Sequence, residues 1–186
     1  MTVGILRDAL TPAPAAILLF GNAQAGGKSQ LRVGLERALS HGSYVYVSPL
    51  RSDGHESSCH AQLWFGWLDG AVIVSSKARC WRAQCVALGL DRARIWVGDY
   101  GSWKQPFGIN DAFRAGPSFE ARASIVEDQS LLQRLLTAYE TKYPAEISSW
   151  RERIQCGFDD GSRVLIRYAL DVASTRVQLQ HCLPVA

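Results

Sequence analysis

The stretch Val74-Ser75-Ser76-Lys77-Ala78-Arg79 joins a short apolar run, Ala71 to Ser75, to a helix-forming segment, Cys80 to Leu88. Two hydroxyls and three cations, counting Arg82, gather at this junction. An anion, most often a phosphate, needs positive charge, fork-shaped donors and the free backbone N–H groups of a helix start. The stretch therefore predicts a phosphate-binding turn between a strand and a helix. The alternative is a solvated helix start whose cations face water.

The residues before this junction predict three strands that follow one another. Ser43 to Ser48 (SYVYVS) and Cys59 to Leu68 (CHAQLWFGWL) are rich in aromatic and β-branched residues, as strands are. Asp69-Gly70 predicts a tight hairpin that leads into the third strand, Ala71 to Ser75. Such a meander is typical of a small antiparallel barrel.

The residues after the junction predict three more strands. Two of them, Arg92 to Val97 and Ser118 to Ile125, alternate between apolar and polar residues. The last strand covers Arg163 to Leu170 (RVLIRYAL). Gly98 to Pro117 is rich in glycine, proline and turn residues, which predicts a long loop able to cover a site.

Leucines at helical spacing predict two further helices. One covers Gln30 to His41, and the other covers Gln129 to Lys142 with Asp128 as its N-cap. After Pro144 we expect only a short polar segment before the last strand. Six strands with a few helices and no β-α-β alternation predict an α+β antiparallel barrel and not a parallel sheet.

Composition is that of an ordinary globular domain. The chain has 186 residues, of which 47% are hydrophobic and 20% charged, and these values argue against disorder. The net charge of +3 is too small to indicate a nucleic-acid partner. No apolar run approaches the roughly 18 residues of a membrane span. The five cysteines form no C-x-x-C pair, so we expect reduced thiols, no metal site and a cytoplasmic location.

The first thirty residues contain two imperfect imitations of functional motifs. Residues 15–20 (AAILLF) resemble the apolar part of a signal peptide, but Pro12 and Pro14 keep that part short. Gly21 to Ser29 resembles a phosphate-binding P-loop, but Gly21 stands one position too early for the G-x-x-x-x-G-K-[ST] spacing. We therefore expect an N-terminal extension over residues 1–30 ahead of a domain over 31–186. A P-loop-like nucleotide-binding protein stays open as an alternative.

Four segments in order resemble those of a known family. They are the turn Ser52 to His55, the aromatic strand and hairpin Gln62 to Gly70, the strand end Val74 to Arg79, and the later elements Glu120 to Asp128 and Lys142 to Pro144. Together they resemble the pyridoxamine 5′-phosphate oxidase-like, flavin-binding split barrels, over about residues 31–170. The resemblance implies an α+β fold with a six-stranded antiparallel split β-barrel and two to four flanking helices.

The resemblance also implies a cofactor site. In the family a hydroxyl, a lysine and an arginine hold the cofactor phosphate, while the second strand flanks the ring. The residues matching these roles, with the nearby Arg82, are Gln62, Leu63, Trp64, Ser75, Ser76, Lys77, Arg79 and Arg82. Members use FMN or a 5-deazaflavin coenzyme, some bind haem, and the sites lie at the interface of a homodimer.

The implied function is an FMN- or deazaflavin-dependent oxidoreductase acting on a small organic substrate. Because the cofactor carries the hydride chemistry, no catalytic side chain is predicted. A non-catalytic flavin- or haem-binding protein of the same fold is the alternative. His55, Cys59 and His60 are of metal-ligand type, but their spacing fits no zinc pattern and favours a polar turn.

Overall fold

The computed structural model describes residues 33–105 and 108–171. The predicted N-terminal extension, with its P-loop-like Gly21 to Ser29, lies outside the described residues. None of the described helices has the length and apolar character of a membrane span.

Nine β-strands are present in the described ranges. In chain order they are β1 (Tyr44–Pro49), β2 (Ala61–Leu63), β3 (Gly66–Leu68), β4 (Ala71–Lys77), β5 (Arg92–Gly98), β6 (Lys104–Gln105), β7 (Gly108–Ile109), β8 (Ser118–Val126) and β9 (Arg163–Leu170). Seven of them form one antiparallel sheet in the order β2-β1-β5-β8-β9-β4-β3, and β6 and β7 form a separate two-stranded sheet. The fold is therefore α+β with a curled antiparallel sheet, and the prediction of six strands was wrong.

The extra strand arises because the predicted strand from Cys59 to Leu68 is broken in the middle. Only Trp64 and Phe65 separate β2 from β3, yet β2 pairs with β1 at one edge of the sheet and β3 pairs with β4 at the other. The chain thus passes from one edge of the sheet to the other within two residues. The sheet must curl so that its two edges meet at this point.

The hairpin between β3 and β4 is confirmed. Asp69 and Gly70 both have positive φ, 50° and 69°, as a tight turn between twisted strands requires. Arg134 donates to both carboxylate oxygens of Asp69, at 2.7 and 2.8 Å, and so ties the turn to the helical layer.

Four α-helices accompany the sheet in the described chain: α1 (residues 33–41), α2 (Trp81–Ala87), α3 (Gln129–Lys142) and α4 (Pro144–Asp159). A 3-10 helix covers Ala112–Ala115. The prediction for α3 is confirmed, including its cap, because the Asp128 carboxylate accepts from the N–H groups of Ser130 and Leu131.

Helix α4 was missed, and the prediction of a short polar segment after Pro144 was wrong. Pro144 occupies the first turn of the helix, where its fixed φ is favourable and no N–H is needed. The fully buried positions, Ile147, Ile154 and Gly157, are few and are separated by serine, arginine and glutamate. This sparse apolar face does not give the leucine-rich pattern that identified α3.

Side-chain direction alternates along β4, and the two faces of the strand belong to two different hydrophobic cores. Val72 and Val74 lie in the core inside the curled sheet, whereas Ala71 and Ile73 pack against α3 and α4 on the outer face. By the same alternation Ser76 faces the inside, where it is 2% exposed. Ser75 lies on the outer face, beside the helices.

Tyr143 connects the helices α3 and α4 to the crossing, the two residues Trp64 and Phe65 between β2 and β3. Its hydroxyl donates to the Ser43 carbonyl at 2.7 Å and accepts from the Phe65 N–H at 3.2 Å. Its ring stacks on Trp64 with centroids 4.8 Å apart. The neighbouring Lys142 places Nζ 3.4 Å from the centroid of the Phe65 ring, and burial lowers the pKa of this amine to about 8.

Replacing Tyr143 by phenylalanine tests the contribution of its two hydrogen bonds to stability. Tyr143→Phe keeps the stacked ring but leaves the Phe65 N–H and the Ser43 carbonyl without their partner. We expect the free energy of unfolding to fall by about 1–3 kcal/mol, measured by urea denaturation. Tyr44→Phe is the matched control, because Tyr44 stacks on Tyr143 and its hydroxyl has no comparable pair of backbone partners among the described residues. Equal losses in the two variants would contradict this account.

Candidate functional site

The outer face of β4 meets β9 at a cluster of polar side chains. Lys77 pairs with Arg163 in the antiparallel register, so the two side chains project from the same face of the sheet. Arg163 turns back toward Ser75, and its guanidinium lies 3.4 Å from the Ser75 hydroxyl. Two cations and a hydroxyl thus lie together beside α4.

A cavity of about 280 Å³ opens between this cluster and the end of β2. Its described lining consists of Gln62, Leu63, Trp64, Ser75, Tyr139, Trp150, Ile154 and Arg163. The aromatic rings come from the end of β2, from α3 and from α4, and the polar atoms come mainly from Gln62, Ser75 and Arg163. One end of the site is therefore largely apolar with a few polar groups, which is the usual character of a ligand pocket.

Two further depressions continue from this cavity along the strand end. One, of about 370 Å³, shares Arg163 with the first cavity and adds Lys77 and Arg153. The next, of about 440 Å³, shares Lys77 and adds Arg79. We call the three adjoining cavities the groove. It has an aromatic end at Trp64 and a cationic end at Arg79.

Six of the eight predicted cofactor-binding residues line the groove. Gln62, Leu63, Trp64 and Ser75 lie at its aromatic end, and Lys77 and Arg79 lie at its cationic end. The other two do not line the groove. Ser76 faces the inside of the curled sheet, and the Arg82 side chain lies beside it. The Arg82 Nε donates to the Ser76 hydroxyl at 3.4 Å.

The helix start contributes less than the sequence suggested. Helix α2 begins at Trp81, and its N-cap Cys80 makes no side-chain cap. In the turn before it, the Ala78 N–H donates to the Ser162 carbonyl and the Cys80 N–H to the Lys77 carbonyl. The expected free N–H donors are therefore not supplied by these two residues, and the positive character of the groove comes from side chains.

The cations that line the groove differ from most arginines elsewhere in the described chain. Seven arginines form ion pairs with carboxylates: Arg51, Arg92, Arg94, Arg114, Arg122, Arg134 and Arg151. No ion pair within the described ranges involves Lys77, Arg79, Arg153 or Arg163. The one carboxylate of the described lining, Asp160, accepts from the Ser162 N–H at 2.8 Å, and the Ser162 contacts lower its pKa. The groove is therefore suited to an anionic ligand.

The titrating groups at the aromatic end are not placed for acid–base work. Burial raises the pKa of Tyr139 far above its usual range, and its hydroxyl donates to the Trp64 carbonyl at 3.0 Å. Burial and the nearby Arg153 lower the pKa of Arg163 from the ordinary arginine value. The arrangement is suited to holding a ligand, and no side chain among the described groove residues is poised to move a proton.

Comparison with known proteins gives a structural match without a sequence match. No protein-family model and no curated protein matches the chain. Among solved structures, a conserved hypothetical protein from Mycobacterium tuberculosis superposes with a TM-score of 0.52 at 16% identity, covering 86% of each chain.

Two other solved structures cover 81% of this chain and 99% of their own, each with a TM-score of 0.51. They are HutZ, the haem storage protein from Vibrio cholerae, at 13% identity, and a candidate pyridoxamine 5′-phosphate oxidase from Listeria innocua, at 14% identity. The chain has the fold of the pyridoxamine 5′-phosphate oxidase-like split barrels. The split-barrel fold expected from the four sequence segments is therefore confirmed, apart from its strand count.

Several groove residues of this split barrel were not predicted from the sequence. Trp150, Arg153 and Ile154 lie on α4, the helix that the apolar pattern did not reveal. Arg163 begins a strand that was predicted, but its place opposite Lys77 depends on the pairing register between β4 and β9. The unusual run Trp150-Arg151-Glu152-Arg153 was the one sequence signal that could have drawn attention to this wall.

The segment from Gly98 to Pro117 covers a different part of the barrel. No described residue of this segment lines the groove. Phe113 is fully buried against Tyr46 and Trp96 on the face formed by β1 and β5. The expectation that this loop covers a site is therefore not met at the groove, and the loop instead completes an aromatic core.

Beneath that segment, the buried His60 belongs to a polar network that reaches the surface. Its Nδ1 is hydrogen-bonded to the Ser48 hydroxyl, and its Nε2 lies 3.4 Å from an Arg114 nitrogen. Arg114 in turn pairs with Glu56 and Asp111. No group of three or more potential ligands in the described residues is placed to hold a metal ion. His60 thus connects the turn before β2 to the 3-10 helix.

The environment of His60 predicts a pH dependence of stability. Burial first, and then the Arg114 charge, lower its pKa below the ordinary 6.5. As the pH falls through 6.5, the unfolded chain therefore binds a proton that the folded protein does not, and stability decreases. We expect His60→Gln to flatten the rise in unfolding free energy between about pH 5.5 and about pH 7.5. His55→Gln, in the same loop but exposed, serves as the control. An unchanged slope in His60→Gln would refute the assignment.

Proposed function

We propose that this protein binds a flavin-type cofactor, FMN or a 5-deazaflavin coenzyme, in the groove and acts as an oxidoreductase on a small organic substrate. The observation that carries the proposal is the joining of an aromatic end and a cationic end in one groove. A flavin has the complementary shape, a planar apolar ring joined to an anionic phosphate.

The aromatic end has the walls that a planar ring requires. Leu63 and Trp64 come from the end of β2 and form one wall of the cavity of about 280 Å³. The Gln62 side chain adds an amide, which both donates and accepts hydrogen bonds, so it can meet the polar edge of a ring. These residues would hold the ring and exclude water from one side of it.

The cationic end has the charge that a phosphate requires. Lys77 and Arg79 both line the last cavity of the groove, and both are exposed without a carboxylate partner in the described chain. Charge-assisted hydrogen bonds of this type are about twice as strong as neutral ones. These two side chains would fix the phosphate and so set the position of the ring.

The bound flavin would supply hydride transfer, which no protein side chain can perform. The chain itself would bind, orient and shield the reactants. The absence of a poised acid or base among the described groove residues agrees with this division of roles.

Haem binding without turnover is the second candidate, because HutZ, named a haem storage protein, shares the fold. A haem iron is commonly held by histidine. The three described histidines, His41, His55 and His60, all lie outside the groove lining. The described residues therefore favour the flavin proposal.

Removing the two phosphate-binding cations should weaken the cofactor. We expect Lys77→Ala with Arg79→Ala to reduce FMN affinity by about 2–4 kcal/mol, because two charge-assisted contacts are lost. Quenching of flavin fluorescence on titration measures the affinity. Arg51→Ala with Lys104→Ala removes the same charge outside the groove and should leave FMN affinity unchanged. Unchanged affinity in the Lys77 and Arg79 variant would remove the phosphate assignment.

The identity of the natural ligand can be read from the purified protein. We expect mass spectrometry of the molecule released by heating to find FMN or a deazaflavin. Reduction by a nicotinamide coenzyme followed by reoxidation with a substrate would then establish an enzyme and not a carrier. Release of haem alone would contradict the flavin proposal and favour the second candidate.

We also propose a homodimer, as in the family that the sequence resembles, with the groove close to the interface. Trp150 is 38% exposed at the groove wall, which suits partial cover by a second subunit. Sedimentation velocity at micromolar concentration should give a dimer. A monomer under these conditions would count against a site completed by the partner.

A further inference from the structure

Trp150 has unusual surroundings for an exposed aromatic residue. Its ring centroid lies 4.9 Å from the guanidinium carbon of Arg153 and 5.9 Å from that of Arg163. All three side chains line the groove, Trp150 at the aromatic end and Arg153 in the adjoining cavity, while Arg163 belongs to both. One aromatic face and two guanidinium groups therefore meet at the point where two cavities join.

Neither arginine forms an ion pair with a carboxylate of the described residues. Two positions of the same helix offer a contrast, because Arg151 pairs with Glu140 at 3.2 Å while Arg153 has no carboxylate partner in the described chain. Arg163 also lines a neighbouring depression with Glu127 and Asp159, and Asp160 lines the cavity that holds Arg153 and Arg163. None of these three carboxylates forms an ion pair with either arginine. Like charges placed together raise the free energy of the site, and a bound anion would relieve that repulsion.

One phosphate does not account for all the cations in the groove. Lys77 and Arg79 lie together at the far end, in a cavity that neither Arg153 nor Arg163 lines. Arg153 and Arg163 remain beside Trp150 and near the Ser75 hydroxyl. Lys77 also lines the middle cavity with Arg153 and Arg163, so the four cations follow one another along the groove. Only Arg153 and Arg163 have an aromatic surface next to them.

We infer that Trp150, Arg153 and Arg163 form a second anion subsite, which binds the carboxylate of a planar organic substrate. A guanidinium presents paired N–H donors that match the two oxygens of a carboxylate. The Trp150 ring provides a flat surface on which a planar substrate packs. The inference rests on the proposed function in taking this ligand as the substrate, but carboxylate binding can be measured whether or not a flavin binds.

A matched pair of ligands and a matched pair of variants test the subsite. Calorimetric titration with 2-naphthoate should show binding, and the neutral 2-naphthamide should bind about tenfold more weakly or not at all. Arg153→Gln should weaken naphthoate by about tenfold, whereas Arg151→Gln, its neighbour on the same helix, should leave it unchanged. Both residues are exposed, and equal thermal midpoints would show that both variants fold. Equal binding of acid and amide, or equal effects of the two variants, would overturn the subsite.

Repeating the titration on protein saturated with FMN separates this inference from the proposed function. Two subsites predict that naphthoate still binds, and that Arg153→Gln weakens naphthoate more than FMN. Loss of naphthoate binding in the FMN-saturated protein would overturn the second subsite. If FMN itself fails to bind, the proposed function fails, and the comparison of naphthoate with naphthamide on the flavin-free protein still decides the inference.

Discussion

The crossing of the chain at Trp64 and Phe65 is the constraint on which the rest of this structure depends. A strand that pairs with β1 becomes, two residues later, a strand that pairs with β4. Phe65 is fully buried at the crossing, and its N–H bonds to the Tyr143 hydroxyl and not to a neighbouring strand. Because the two edges of the sheet must meet here, the end of β2 is brought over the outer face of β4. This is what places Gln62 and Trp64 beside Ser75.

The alternating side-chain direction along β4 is the second constraint on the groove. Adjacent residues point to opposite faces, so Ser75 reaches the groove while Ser76 is enclosed inside the barrel. A shift of one residue in the pairing with β9 would exchange these positions and separate Lys77 from Arg163. The chemistry of the groove is thus a consequence of register as much as of composition.

These two constraints explain which features could be predicted. The strands β1, β4, β5, β8 and β9 and the helix α3 follow from local patterns, since each has a clear apolar period and recognisable turn or cap residues. The break in the second strand could not be foreseen, because CHAQLWFGWL is continuously strand-like and its bend depends on Tyr143, which lies far along the chain. The pairing register decides which of Ser75 and Ser76 faces the groove. It also places Arg163 opposite Lys77. Helix α4 was not predicted because its buried face is narrow and its surface is rich in serine and arginine.

The groove lies along the seam between two layers that have separate cores. One wall belongs to the barrel strands and the other to α3 and α4, whose apolar side chains form their own cluster. Any molecule held there would join the layers and would bind only while they are docked. Saturation should therefore raise the melting temperature in proportion to the logarithm of ligand concentration, by mass action alone. Thermal shift across a small-molecule collection thus offers a route to the physiological occupant, because the signal arises from binding and not from turnover.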